Sequence, residues 1–278
     1  MRYRWRVTHV ALPSTPLAPG AGPVALYVRD HRPADAGGRL PLLVLHGGWG
    51  YEIYAFAAQL PALADRRVVI PDRTGYGRSP ALAALPPRFH QAAAEEHLAT
   101  LDALAVDRCA IWGHSDGAVI AAIMALRWPA RVAGVILEAL HVDRDKPRSR
   151  AFFETMRDRP DDFGPRVTAR LAADHGEPRW RDVLRCGGRA WLDIAATPDD
   201  DFYDHRLADL AVPALVLHGA DDPRSEPDEL ARIARALPAA TVHVIAGAGH
   251  APHSERAAAA EATAVGVAFV RGLDLARR

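Results

Sequence analysis

The feature that most constrains the fold is the stretch 109–122, where an apolar run meets Gly-His-Ser-Asp-Gly and continues as small and aliphatic residues. A strand, a tight turn with glycine on both sides of a serine, and a helix together form the context in which a serine hydroxyl is exposed for nucleophilic attack. Gly113 and Gly117 leave room for the neighbouring strand and helix. The pattern predicts Ser115 as a nucleophile at the carboxyl end of a strand, beside helix N-terminal amides that can stabilise an oxyanion.

Charge and composition exclude several classes of partner. The chain has 278 residues with 34 basic and 34 acidic side chains, so its formal net charge is zero. Without a basic surplus we expect neither nucleic acid nor an anionic membrane as partner, only a small-molecule substrate, with the chain a monomer or a homodimer. The absence of a signal-peptide core and of a membrane-length apolar stretch predicts a cytoplasmic location. Cys109 and Cys186 are expected to be free thiols, with no metal and no cofactor.

Strand-like and helix-like segments alternate along most of the chain. Helices are predicted at 51–63, 89–105, after Ser115, 226–236 and 257–270. Strands are predicted at 3–12, 24–31, 40–45, 67–71, 108–112, 132–140, after 212 and at 241–245, the first two as an antiparallel edge. This alternation predicts an α/β fold with a mostly parallel sheet.

The alternation stops between residues 141 and 206. This segment is rich in Arg and Asp, is punctuated by prolines and carries aromatic residues at irregular intervals. Helices are expected here, and because the segment would emerge from the carboxyl end of a strand, it is predicted to be a lid whose aromatic residues form part of the pocket wall. The chain then divides into a core, residues 1–140 and 207–278, and a helical lid, residues 141–206.

Two loops lie next to the predicted nucleophile. The buried strand at 40–45 ends in His-Gly-Gly-Trp-Gly, residues 46–50, whose backbone amides could approach a substrate oxygen without obstruction by Cβ atoms. A tight turn is the simpler interpretation of the same residues, and the neighbouring serine turn favours the functional one. The loop 72–79 is dominated by turn chemistry and is interpreted as a structural loop beside the site.

Candidates for the acidic residue of the site lie at the ends of two predicted strands. Asp221 and Asp222 follow the strand that begins near 212, and consecutive residues there point in different directions, so only one of them can serve. Glu138, at the end of the strand after the serine helix, is a further substitute.

One histidine stands out among several. His250 follows Gly-x-Gly after the last strand. His243 lies within that strand and His253 opens the last predicted helix, and both are interpreted as surface or core histidines. His46 and His114 flank the predicted site and are expected to shape its loops.

The order serine, acid, histidine, together with the glycine-rich loop, resembles that of the α/β-hydrolase superfamily over essentially the whole chain. The resemblance implies an α/β-hydrolase fold, with an eight-stranded, mostly parallel sheet flanked by helices and a helical lid insertion. It also implies a triad in which Ser115 attacks a carbonyl carbon, His250 transfers the proton and Asp222 holds the imidazole, because the acid usually follows His-Gly-x-x.

The residue after the nucleophile departs from the commoner pattern. By the same resemblance, the amides of Asp116 and of Gly48 or Trp49 form the oxyanion hole. The Asp116 carboxylate, if unpaired about 5 Å from the oxyanion, would oppose it by roughly 3 kcal/mol at an effective dielectric constant of about 20. Either it pairs with an arginine or a turn amide away from the substrate, or it binds a cationic substrate group. The second option is implied by the similarity of this elbow to that of the biphenyl-hydrolase-like, valacyclovir-hydrolysing enzymes, which prefer α-amino-acid esters.

The resemblance implies a cofactor-independent serine hydrolase that cleaves a small carboxylic ester through an acyl-enzyme, an amino-acid ester being one candidate. A carbon–carbon bond hydrolase of ring-cleavage products uses the same residues and remains an alternative. Amide hydrolysis, as in proline iminopeptidase-like relatives, and lactone hydrolysis remain open as well. A non-catalytic ligand-binding protein on this fold is the rival from another class.

Overall fold

The computed structural model describes residues 6–197 and 200–276. Its strands are β1 Arg6–Leu12, β2 Val24–His31, β3 Leu42–Leu45, β4 Val68–Pro71, β5 Cys109–His114, β6 Val132–Glu138, β7 Ala214–Gly219 and β8 Thr241–Ile245. They form one sheet in the order β1-β2-β4-β3-β5-β6-β7-β8. The β1–β2 and β2–β4 pairs are antiparallel, and the other pairs are parallel. The predicted mostly parallel, eight-stranded sheet is thus confirmed; residues 3–5 of the predicted first strand lie outside the described residues.

Helices flank this sheet. They are α1 Phe89–Ala103, α2 Asp116–Arg127, α3 Arg150–Asp158, α4 Pro165–His175, α5 Arg179–Ala195, α6 Glu229–Ala236 and α7 Ala259–Leu275. The start of α6 is later than predicted, because Asp228 before it has a left-handed backbone with φ 62°. No helix in the described part of the chain is long and apolar enough to cross a membrane.

The prediction of a continuous helix at 51–63 is wrong. Two short 3-10 helices, Glu52–Tyr54 and Leu60–Leu63, occupy this segment. Ala55 between them is extended, with φ −71° and ψ 142°, which interrupts any continuous helix. Pro61, at the start of the second turn, has no amide hydrogen to donate. The apolar residues that suggested a helical face are buried nevertheless, because short turns also place them against the sheet.

The sheet separates two apolar clusters. Side chains alternate between the faces of a strand, so Ile111 of β5 packs in the cluster that contains the side chains of α2, and Trp112 packs in the cluster with those of α7. All residues of β3, β5 and β6 are buried. The carboxyl ends of the central strands are therefore held rigidly at one edge of the sheet.

Three helices, α3 to α5, lie between β6 and β7, in the segment predicted as a helical lid. Both cysteines are free thiols, as expected: Cys109 is buried in β5 and Cys186 is half-buried in α5. The buried aromatic residues among those described in this segment are Phe153, Trp180, Trp191, Phe202 and Tyr203.

Candidate active site

Ser115 occupies a sharp turn between β5 and α2. Its backbone has φ 55° and ψ −121°, a strained conformation for a residue with a side chain. A Cβ atom on Gly113 would lie 2.1 Å from the carbonyl oxygen of Gly117, and one on Gly117 would lie 2.1 Å from the carbonyl oxygen of Leu45. Only glycine fits at either position, so the sequence forces the turn that presents the serine hydroxyl.

Ser115, His250 and Asp222 are joined by hydrogen bonds. The Oγ atom of Ser115 lies 3.0 Å from Nε2 of His250. Nδ1 of His250 lies 2.9 Å and 3.0 Å from the two carboxylate oxygens of Asp222. A Cβ on Gly219 would lie 2.0 Å from the carbonyl oxygen of Gly249, so the end of β7 closely approaches the loop that carries the histidine. The three side chains stand in a geometry in which a base and an orienting acid can activate a hydroxyl.

The other two candidate acids lie elsewhere. Asp221 is exposed, and its backbone amide donates to the carbonyl of Ala248. Glu138 accepts hydrogen bonds from the indole of Trp112 at 2.8 Å and from Nδ1 of His253 at 2.7 Å. Asp222 is therefore the acid of the three that contacts His250.

The electrostatics of Asp222 fit an orienting role. Burial alone would raise its pKa, but the charge of His250, the hydrogen bond from that ring and the backbone amide of Arg224 outweigh burial, and the pKa lies well below its ordinary value. The carboxylate is thus ionised at neutral pH and accepts a hydrogen bond from the N–H at Nδ1 of His250. That leaves Nε2 free to accept the proton of Ser115.

Backbone amides are available beside Ser115. Within the described ranges, the amides of Gly48 and Trp49 donate to no backbone carbonyl. Asp116 is the first residue of α2, so its amide precedes the hydrogen-bonded turns of the helix. All three residues line the same cavity as Ser115, where these amides can receive an oxyanion.

A cavity of about 800 Å³, part of it open to solvent, lies over the nucleophile. Its wall includes Phe152, Phe153 and Met156 of α3 and Gly187 and Trp191 of α5. Side chains of the segment 141–206 therefore form an apolar wall that faces Ser115, a position consistent with a lid. No group of three or more His, Cys, Asp or Glu side chains among the described residues is arranged to hold a metal ion.

Comparison with known proteins identifies the family. Residues 42–263 match the model of the alpha/beta hydrolase family. The chain belongs to the α/β-hydrolase family. A putative carbamate hydrolase, RutD of Variovorax paradoxus (strain S110), is 30% identical over 263 residues, 84% of this chain and 92% of that protein. The 2-hydroxy-6-oxo-2,4-heptadienoate hydrolase of Pseudomonas putida is 28% identical over 243 residues, 78% of this chain and 84% of that protein.

Solved structures show the same fold. A thermophilic esterase from Thermogutta terrifontis superposes with a TM-score of 0.73 at 23% identity, covering 96% of this chain and 99% of that one. The predicted α/β-hydrolase fold is confirmed, and the protein is a hydrolase of this family. The relatives are named as hydrolases of different substrates, so membership of the family does not determine which bond this protein cleaves.

The Asp116 carboxylate of this α/β hydrolase is buried and already has three donors. Nε2 of His90 lies 3.1 Å and Nε1 of Trp191 3.2 Å from its Oδ1, and Nη2 of Arg73 lies 3.4 Å from its Oδ2. Burial alone would raise the pKa of Asp116, but His90 and Arg73 outweigh it and lower the pKa. Pairing with an arginine, one of the two interpretations of this residue, is thus present. The loop 72–79, interpreted as structural, supplies that arginine.

A second histidine approaches the nucleophile of the α/β hydrolase, and sequence reasoning did not find it. Nε2 of His141 lies 3.5 Å from Oγ of Ser115. Nδ1 of the same ring lies 3.2 Å from Nζ of Lys146, which lies 2.6 Å from a carboxylate oxygen of Glu229. All of these side chains are buried. Burial and the charge of Lys146 hold the pKa of His141 well below its ordinary value, so the ring is neutral.

The remaining histidines of the site do not contact the nucleophile. Both ring nitrogens of His253 face acceptors, Glu138 at 2.7 Å and the carbonyl of Tyr54 at 2.7 Å. The residue precedes α7 instead of opening it, so that part of the prediction is wrong, whereas its interpretation as a core histidine holds. His243 is a surface residue 2.8 Å from Glu261.

His46 and His114 have the loop-shaping contacts expected of them. Nε2 of His114 donates to the carbonyl of His250 at 2.9 Å, and burial together with the neighbouring histidines lowers its pKa to about 3. His46 is buried, and its carbonyl accepts from the guanidinium of Arg73 at 2.8 Å. Both residues hold loops that carry site residues.

Proposed function

We propose that this α/β hydrolase is a serine hydrolase that cleaves a small carboxylic ester through an acyl-enzyme. The observation that carries the proposal is the hydrogen-bonded chain Ser115–His250–Asp222, with an Oγ–Nε2 distance of 3.0 Å. Ser115 Oγ attacks the ester carbonyl while His250 takes its proton. His250 then protonates the leaving alcohol, and water attacks the acyl-enzyme by the same route in reverse.

The charge that develops on the carbonyl oxygen needs donors. The amides of Asp116 and of Gly48 or Trp49 would provide them without reorganisation, because the elbow and the glycine-rich loop fix the backbone. Arg73 supports the same step, since it neutralises the Asp116 carboxylate that would otherwise oppose the oxyanion. Helices α3 to α5 would act as the lid that limits water in the cavity.

A carbon–carbon bond hydrolase is the second candidate. The relative named 2-hydroxy-6-oxo-2,4-heptadienoate hydrolase, which is 28% identical, favours it. Both activities would use Ser115 and His250, so the bond cleaved has to be measured. Turnover of 4-nitrophenyl butyrate favours the esterase; turnover of a ring-cleavage dienoate without ester hydrolysis favours the alternative.

Intact-mass spectrometry after treatment with a fluorophosphonate tests the proposal directly. We expect a single adduct on the wild type and none on Ser115→Ala, because only an activated serine reacts. Folding of both proteins is verified by circular dichroism. A well-folded wild type that takes no adduct overturns the proposal and indicates a binding protein on this fold.

A further inference from the structure

Arg224 carries an unused charge in the active-site cavity. The residue lies two positions after Asp222 and lines the cavity over Ser115. Its guanidinium carbon lies 3.8 Å from the centre of the Phe152 ring, a cation–π contact. Its Nη1 atom is buried without a hydrogen-bond partner, and among the described residues no carboxylate lies within ion-pair distance of the group. A buried donor without an acceptor is costly, so it needs an explanation.

Other arginines with a buried unpaired nitrogen differ from this one. Arg66 and Arg73 each leave Nε without an acceptor, but each has a carboxylate partner, Asp274 and Asp116 respectively. Arg179 also leaves Nε without an acceptor, but its other two nitrogens donate to the carbonyls of Gly77 at 3.0 Å and Ser79 at 2.8 Å. The guanidinium of Arg224 has neither kind of partner in the described part of the chain. Its guanidinium is therefore not explained as part of a structural ion pair.

The other charges in the cavity wall are compensated. Asp116 is paired with Arg73, and Lys146 is paired with Glu229. These pairs leave Arg224 as the charge in the wall whose counter-ion is not found among the described residues. An anionic substrate group would supply that counter-ion, whereas a cationic group would meet a carboxylate that already has three donors.

Neither of the two acids nearest in sequence, Asp222 and Glu226, forms an ion pair with Arg224; Glu226 accepts the backbone amide of Arg148 at 3.1 Å. Asp222 accepts the backbone amide of Arg224 at 2.8 Å, and its carboxylate is committed to His250. The exposed Arg148 adds positive charge near the group: burial and the charge of Arg148 lower the pKa of Arg224, against the opposing effect of Asp222. Arginine nevertheless remains protonated.

We propose that Arg224 determines specificity by binding a carboxylate of the substrate, so that the enzyme prefers short hemiesters of dicarboxylic acids to neutral esters and amino esters. The guanidinium fork matches a carboxylate in two parallel hydrogen bonds. Phe152 holds the plane of that fork, and its ring stacks at 5.4 Å on Trp49 of the oxyanion loop. This inference rests on the proposed esterase function.

A matched pair of substrates tests the inference. Mono-4-nitrophenyl glutarate and 4-nitrophenyl valerate have the same chain length and differ by a terminal carboxylate against a methyl group. We expect Arg224→Met to lower kcat/KM for the glutarate by roughly ten- to a hundredfold and for the valerate by less than about threefold, as for loss of a hydrogen bond between charged groups. Arg224→Lys keeps the positive charge but not the two parallel donors, so its kcat/KM for the glutarate should lie between those of the wild type and Arg224→Met.

Two controls separate recognition from structure. Arg185→Met replaces an exposed arginine of α5 and should leave both substrates unchanged. The pair 4-acetoxybenzoate and phenyl acetate moves the carboxylate to the leaving group. Loss of selectivity in the glutarate pair supports the inference, and loss in the leaving-group pair alone overturns the preference for hemiesters of dicarboxylic acids. An equal loss on charged and neutral esters in both pairs, or no loss on any, overturns it.

Failure of the inference is distinguishable from failure of the proposed function. If the fluorophosphonate labels Ser115 while the Arg224 variants keep the wild-type selectivity, the esterase proposal stands and the role of Arg224 falls. If Ser115 is not labelled, calorimetric titration of wild type and Arg224→Met with glutarate still tests the site. Binding by the wild type that weakens at least tenfold in the variant supports the inference, and equal or absent binding overturns it.

Discussion

The Nζ atom of Lys146 lies 3.2 Å from Nδ1 of His141, and this contact fixes which nitrogen of the ring carries the proton. An ammonium group can only donate, so Nδ1 must accept and the proton resides on Nε2. Glu229 holds the lysine in place at 2.6 Å. The N–H that results points toward Ser115 Oγ, 3.5 Å away. His141 is therefore a neutral donor facing Ser115 Oγ, and its Nε2 has no lone pair free to accept a proton.

We expect His141→Phe to lower kcat/KM for a neutral ester about two- to tenfold, the value of one hydrogen bond between neutral groups. The phenyl ring retains packing against Trp191, whose ring now lies 5.2 Å from that of His141. Steady-state kinetics with 4-nitrophenyl butyrate measure the effect, with His243→Phe at the surface as the control. A loss as large as that of Ser115→Ala would show instead that His141 is the base.

Two adjacent acids offer a test of the triad. Asp222→Asn should reduce kcat by about a thousandfold or more, because the amide cannot hold His250 in the tautomer that accepts a proton from Ser115. Asp221→Asn, one residue away and exposed, should retain wild-type activity. Both variants are assayed at pH 7.5 after their folding has been verified. Comparable losses in the two variants contradict the assignment of the acid.

Local geometry explains why the elbow, and the proximity of Ser115, Asp222 and His250, could be predicted from the sequence. Gly113 and Gly117 are required by backbone atoms only a few residues away along the chain or on the adjoining strand. Likewise, Asp222 and His250 follow strands whose carboxyl ends must meet in a parallel sheet. Such constraints leave a trace in short stretches of sequence.

Partners brought together from distant segments leave no such trace. The negative charge of the Asp116 carboxylate could be compensated by an arginine. The 34 basic residues comprise one lysine and 33 arginines, and nothing in the neighbouring sequence distinguishes Arg73 among them. A usable signal did exist for Lys146, since a single lysine in an arginine-rich chain is unusual. The helix expected at 51–63 was wrong because apolar spacing is compatible with two tight turns interrupted by an extended Ala55.

Asp116→Asn distinguishes pairing from substrate binding. Since the carboxylate neutralises the buried Arg73, its loss should lower the free energy of unfolding by about 3 kcal/mol and change kcat/KM for neutral and amino esters by the same factor. Ethyl propionate and alanine ethyl ester are compared by product titration, and unfolding is followed in urea. A selective loss on the amino ester, with stability unchanged, would support a role in binding a cationic substrate.

Asp174 of α4 links stability to pH. Its Oδ2 accepts the amide of Glu52 at 3.1 Å, and burial, helped by the charges of Asp72 and Glu52 against that of Arg29, raises its pKa from 3.8 to about 7. The native state thus holds this proton more tightly than the unfolded chain. The associated stability is present below about pH 4 and is lost as pH rises through 7.

Asp174→Asn should therefore raise the free energy of unfolding at pH 8 by up to about 4 kcal/mol, the equivalent of about three pKa units. The reason is that the amide can keep the hydrogen bond from Glu52 without a buried charge. At pH 4 the gain should be much smaller, because the carboxyl group of the wild type is then protonated. Urea unfolding of wild type and variant at both pH values measures the difference. Asp182→Asn, an exposed carboxylate on α5, serves as the control and should change little. If wild type and Asp174→Asn follow parallel curves of stability against pH, the proton resides elsewhere.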